Sequence, residues 1–168
     1  AIAQAIAPHM RQQDCLDGKR GLIVNIGSIS GIVPTPFAGA YCASKAALHA
    51  FTETLRMELA GFDIPVILIQ PGAVQSSFGT TATVKVEENI KQGSWYGKQV
   101  DAIRRRANAS QVDATPVEAI AQMLVSTLLR PSPPAIIRVG KKSLWLPLMK
   151  QWLATALLDR VLKKRFGL

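Results

Sequence analysis

Hydrophobic and polar positions fall in blocks along the chain, and each change of period marks an element. The opening stretch, AIAQAIAPHMRQQ, repeats apolar residues at helical spacing and reads as the second half of an amphipathic helix. A polar turn, DCLDGKR, leads to GLIVNIGS, a continuous apolar run of strand length, as expected of a strand buried on both faces. After the Gly/Pro-rich loop ISGIVPTPFAG the spacing turns helical over residues 40–60, with Ala47, Leu48, Phe51, Leu55 and Leu59 along its last turns. PVILIQ reads as a second buried strand, closed by Pro71 and Gly72. Residues 73–110 are polar and irregular, contain Trp95 and Tyr96, and are expected to hold short helices. A further helix is predicted to open at Thr115 and Pro116 and to run to about residue 130. Thr115 is its expected N-cap, with Pro116 at the first helical position and Glu118 at capping-box spacing. PSPPA breaks that helix, AIIRVG is a short strand, and the remainder is a basic, Trp- and Leu-rich helical segment.

Strand, helix, strand, helix, strand is the order of a parallel sheet, so the expected class is α/β, half of a doubly wound fold. The chain starts inside a helix, with neither an initiator Met nor a charged leader followed by a cleavage site. A fragment, or a chain lacking its first half, is the expectation. A content of 48% hydrophobic and 18% charged residues rules out a disordered chain. Cys15 and Cys42 form no CxxC pair and no ligand cluster with His9 or His49, so buried free thiols in a reducing compartment are expected, and no metal site. Uncharged apolar runs are too short to span a bilayer.

The net charge of +9 changes the picture only once it is located. Residues 1–129 carry 11 basic and 10 acidic side chains, whereas residues 130–168 carry 9 basic ones against Asp159 alone. The basicity therefore belongs to the C-terminal segment. It suits an anionic surface as well as a polynucleotide.

Candidate chemistry lies at the ends of the predicted strands. Ligands of open parallel sheets gather at the carboxyl edge, and Ser28 sits just past the end of the first strand. Tyr41 and Lys45, four apart near the start of the following helix, point the same way. A phenol is a poor acid or base at neutral pH, and a neighbouring ammonium and the positive end of a helix dipole both favour its anion. A tyrosine so placed can exchange a proton with a carbonyl or alcohol oxygen, and a serine hydroxyl can polarise the same oxygen. The set suits carbonyl reduction, provided another group supplies the hydride.

Ser28, twelve intervening residues and YCASK resemble the active-site signature of the short-chain dehydrogenase/reductase family, Ser followed by Tyr-x-x-x-Lys. QPGAVQSSF is similar to that family's Pro-Gly motif after its sixth strand, and the resemblance covers nearly the whole chain. It implies a Rossmann-like doubly wound domain whose C-terminal portion is residues 1–140, with 141–168 as a basic, apolar helical extension. By the same resemblance Tyr41 is the general acid/base and a cofactor contact, Ser28 orients the substrate oxygen, and Lys45 binds the nicotinamide ribose and lowers the Tyr41 pKa. Pro71, Gly72, Ala73 and Val74 match the segment that walls the nicotinamide, and Ser76 takes the place of a threonine near the cofactor phosphates. The family's Gly-rich turn, its Asn-Ala-Gly motif and its catalytic asparagine are not among these residues. Nor is the residue that selects the nucleotide. The chain alone is therefore expected to be inactive. Among members, the motifs look most like reductases of the acyl-dihydroxyacetone-phosphate type.

Blander readings stand beside these. His49 continues the 41/45 face and is expected to be packed rather than a proton relay. Cys42 is expected to be a buried thiol. Trp95, Tyr96 and Phe78 fit a substrate lid or plain core equally; Arg104, Arg105 and Arg106 could meet a substrate phosphate, but a solvated helix face is the favoured expectation for them. The function expected is an oxidoreductase using NADP or NAD, NADP slightly favoured, on an apolar or lipid-like carbonyl or alcohol. The alternative is a truncated, non-catalytic binding or dimerisation module. The resemblance further implies a homodimer or homotetramer. Nucleic acid is not an expected partner. A cytoplasmic protein is expected, with peripheral membrane contact through residues 141–168 as a further expectation.

Overall fold

The computed structural model describes residues 2–89 and 94–168. Helix α1 (Ile2–Arg11) leads to strand β1 (Ile23–Ile26), a single-turn 3-10 segment (Ile29–Gly31) and the long helix α2 (Gly39–Leu59). Strand β2 (Val66–Pro71), helices α3 (Phe78–Asn89), α4 (Val100–Asn108) and α5 (Val117–Leu128), strand β3 (Ile136–Val139) and helices α6 (Trp145–Trp152) and α7 (Thr155–Phe166) follow. The three strands form one parallel sheet in the order β1-β2-β3, with Ile23 opposite Val66 and Leu68 opposite Ile136. The α/β class and the parallel sheet agree with the sequence. The short helices expected between residues 73 and 110 are α3 and α4, and positions 90–93 of that stretch lie outside the described residues.

β2 is the buried centre: Val66, Ile67, Leu68 and Ile69 are essentially inaccessible, each contributing about 1.5–3 kcal/mol of burial. Ile67 and Ile69 join Ile120, Ile137 and Val139 in one core beneath α5. A second core sets Val33 against Leu158, Leu162 and Phe166, so α7 packs down onto the loop that follows β1.

Three expectations need correction. Among the described residues β1 is less covered than a strand buried on both faces would be: it pairs with β2 alone, Ile23, Val24 and Asn25 are half-buried, and Ile26 is exposed. The capping box before α5 does not form. Pro116 holds the cap position, and the Thr115 hydroxyl accepts the backbone N–H of Lys141 at 3.1 Å, tying down the loop after β3. Cys42 is buried but Cys15 is exposed, because it stands on the polar turn after α1 rather than on a packed face.

Candidate active site

Parallel pairing brings the carboxyl ends of all three strands to one edge, and each strand there runs straight into a loop. After β2, Gly72 donates its N–H to Val139 O (2.8 Å) and Ala73 donates to Lys141 O (2.8 Å). The two loops thus touch backbone to backbone. A Cβ on Gly72 would collide with the Lys141 carbonyl, so only glycine permits that approach.

α2 is held against β1 by three side chains on one helical face. Lys45 Nζ donates to Ile26 O at 2.9 Å, His49 Nε2 accepts the Ser28 N–H at 3.4 Å, and Thr52 Oγ1 accepts from Asn25 Nδ2 at 3.0 Å. Thr52 is wholly buried, and its hydroxyl in turn donates a hydrogen bond to Leu48 O. These ties fix the helix that presents Tyr41 relative to the strand that presents Ser28. Gly31 completes the arrangement: a side chain there would meet the Lys45 backbone and the His49 ring, so the turn after Ser28 lies flat on α2.

Ser28 is buried and extended, and its Oγ accepts the N–H of Ser30 at 3.1 Å. Because the oxygen is engaged as an acceptor, the hydroxyl proton is left to donate to a ligand. Tyr41 is half-buried, with its ring 5.4 Å from that of Phe78 and Lys45 Nζ 5.9 Å from its centroid. Ahead of it Phe37 takes the left-handed φ of 61°, a cost of about 1–2 kcal/mol for a bulky residue. Its ring meets Tyr96 edge-on at 6.2 Å.

The eight residues given catalytic or cofactor-binding roles from the sequence meet here. Ser28, Tyr41, Lys45, Pro71, Gly72, Ala73, Val74 and Ser76 line one cavity of about 340 Å³. Val74 bridges Thr115 through its neighbours, Thr115 N to Ala73 O and Gln75 N to Thr115 O, which turns its own N–H and C=O the other way. The Ser76 hydroxyl receives N–H groups from Phe78 and Gln111.

His49 is a packed residue, as expected. Burial is the main reason its pKa lies below the usual value; Lys45 adds to the shift and Glu53 opposes it. A neutral ring is also what its acceptor role toward Ser28 requires. Phe78 lines the cavity, whereas Trp95 is 98% exposed and belongs to no core. Arg106 overturns the expectation of a solvated face: it is half-buried and lines the cavity, while Arg104 and Arg105 are exposed. Sequence reasoning missed Thr35, Leu162 and Phe166 in the wall, and Asn25 and Thr52 in the clamp. Only Thr52 left a signal, since 45, 49 and 52 share a helix face.

A family profile described as short chain dehydrogenase matches residues 1–88. "Short-chain dehydrogenase virD" of Hypocrea virens is 35% identical over 128 residues, covering 76% of this chain and 43% of that protein. The "3-ketodihydrosphingosine reductase" of Bacteroides thetaiotaomicron is 28% identical over 154 residues, 87% of this chain and 55% of that protein. The chain thus spans about half the length of these relatives. The fold is that of a short-chain dehydrogenase from Streptomyces avermitilis (TM-score 0.67, 24% identity, 99% of this chain and 57% of that one). It also matches a short-chain dehydrogenase/reductase from Burkholderia phymatum solved in complex with NAD (TM-score 0.62, 19% identity, 98% and 54%).

Proposed function

We propose, because this chain belongs to the short-chain dehydrogenase family, that the protein carrying it is an NAD(P)-dependent oxidoreductase acting on a carbonyl or alcohol of an apolar or lipid-like molecule. The observation that carries the reading is convergence. Residues spread from 28 to 76 along the chain line one cavity at the carboxyl edge of the sheet.

The residues present fit the nicotinamide end of the cofactor. The lysine ammonium keeps two donors beyond its bond to Ile26 O, Pro71–Val74 form an uncharged wall, and Ser76 adds a hydroxyl. Lys45, Pro71, Gly72, Ala73, Val74 and Ser76 would hold it, and when bound it supplies or accepts the hydride. In the reducing direction, the Ser28 hydroxyl donates to the carbonyl oxygen and drains charge from the carbon under attack. Tyr41 delivers its phenolic proton to that oxygen, giving the alcohol. The positive charge of Lys45 beside the ring faces the negative charge left on the phenol oxygen. Oxidation runs the same steps in reverse.

An apolar substrate suits walls built from Phe78, Leu146, Leu162 and Phe166. The test is loss of reduced-nicotinamide absorbance when the native protein meets a panel of long-chain ketones and NADPH or NADH. No turnover of any ketone or of any corresponding alcohol, with either nucleotide, would sink the reading. A second copy as partner is supported by the outward side of α2, where Phe51 and Met57 are 50% and 68% exposed. A strictly monomeric native protein in sedimentation would remove that part.

A further inference from the structure

The cavity is charged on one side of the ledger only. Lys45, Arg106, Lys142 and Arg165 line it, and among the described residues no aspartate or glutamate does. Two of the four cations are already engaged: Lys45 on Ile26 O, and Lys142 on Val112 O at 3.0 Å. Arg106 is different. It projects from the end of α4 into the space between the loop after β1, α2 and α7. Its Nε donates to Thr35 Oγ1, its guanidinium lies 6.0 Å from the Phe166 ring, and Cys42 and Tyr41 are close enough to act on its charge. None of these partners is a carboxylate, and among the described residues no aspartate or glutamate pairs with it.

A half-buried guanidinium without a counter-charge is an expensive arrangement, and burial accordingly lowers its pKa below the usual arginine value. An arrangement of this kind becomes favourable when an anion arrives, because the planar fork offers paired donors to a carboxylate or phosphate. The partners of Arg106 also place it. None of Thr35, Cys42 and Phe166 belongs to the Pro71–Val74 and Ser76 segment assigned to the cofactor. Arg165, exposed on α7, adds a second charge at the same cavity.

We infer that the substrate carries an anionic group, a carboxylate or phosphate monoester, on its apolar body, and that Arg106 binds this group with Arg165 in support. The inference rests on the oxidoreductase reading and narrows it to an amphiphilic anion whose carbonyl reaches Tyr41 while its charge sits on Arg106.

Two readouts test it on the native protein. Keto acids with the carboxylate two to five bonds from the ketone are compared with their methyl esters. The acid is expected to exceed the ester in kcat/KM by about tenfold or more at one spacing at least. Arg106→Met brings that ratio down toward one, and Arg165→Gln lowers it less. Octyl phosphate binding, measured by calorimetry without turnover, weakens about tenfold in Arg106→Met. If Arg106→Met does not fold, Arg106→Lys, which keeps charge but not the fork, and Arg165→Gln must each lower the acid/ester ratio. An ester as good as its acid at every spacing, or a ratio indifferent to these variants, overturns the inference. So does a loss confined to NADPH affinity, which would assign Arg106 to the nucleotide. If no ketone is turned over but octyl phosphate binds through Arg106, the anion site stands and the oxidoreductase reading is what fails.

Discussion

Replacing Tyr41 with phenylalanine removes one oxygen and little else. The ring keeps its packing on Phe78 at 5.4 Å and its position under Lys45 at 5.9 Å, since both contacts are made by carbon atoms. Lys45 retains its bond to Ile26 O, and His49 and Thr52 still hold α2 to β1. Stability should therefore change by less than about 0.5 kcal/mol. Cofactor affinity should move by no more than about threefold, because the other proposed nicotinamide contacts remain. Turnover is another matter. General acid catalysis by a positioned group contributes about 10²- to 10⁴-fold, equivalent to about 3–5.5 kcal/mol of barrier. The assay is steady-state oxidation of reduced nicotinamide with a ketone substrate, alongside cofactor titration by fluorescence and a thermal melt. A Tyr41→Phe protein that folds, binds cofactor and keeps more than about a tenth of wild-type kcat refutes the role assigned to the phenol.

Thr52→Val should cost about 1–2 kcal/mol in urea unfolding, because the isosteric swap leaves Asn25 Nδ2 without its acceptor; Thr52→Ser should restore most of it. Equal stability of all three proteins would show that the clamp is not an energetic feature. Since burial lowers the His49 pKa in the folded state, the unfolded chain takes up a proton first as pH falls through the ordinary value of 6.5. Stability should thus be flat above that pH and decline below it. His49→Phe should flatten the slope, and an NMR titration placing His49 at or above 6.5 would contradict the sign. The 141–168 segment exposes Trp145 and Trp152 at 75% and 79% beside its basic residues. It should bind phosphatidylserine vesicles at low salt and release at high salt, each basic group near the surface adding about 1 kcal/mol. No co-sedimentation at low salt would leave these helices with a packing role alone.

Much of the candidate site was legible because its chemistry is local. The pair Tyr41 and Lys45 needs only the helical repeat to become neighbours, and Ser28 and Pro71–Val74 are placed by following the carboxyl ends of parallel strands. The apolar runs that became β2 and β3, and the helical period over residues 40–60, announced the parallel α/β grammar on their own. What could not be read was any relation between segments far apart in the chain. Thr115 carries a sound capping signal, yet its hydroxyl is claimed by Lys141 once β3 lies beside β2. GLIVNIG has the composition of a buried strand, but that β2 stands between it and β3 follows from strand order, which no single run encodes. Arg106 looks identical to Arg104 and Arg105 in sequence. Only the packing of α7 onto the loop after β1, through Leu158, Leu162 and Phe166 against Val33, turns one of the three into a cavity wall. Periodicity and spacing are properties of a few turns of chain. Which charge ends up desolvated beside a phenol is decided by contacts more than sixty residues apart, and those exist only in the folded protein.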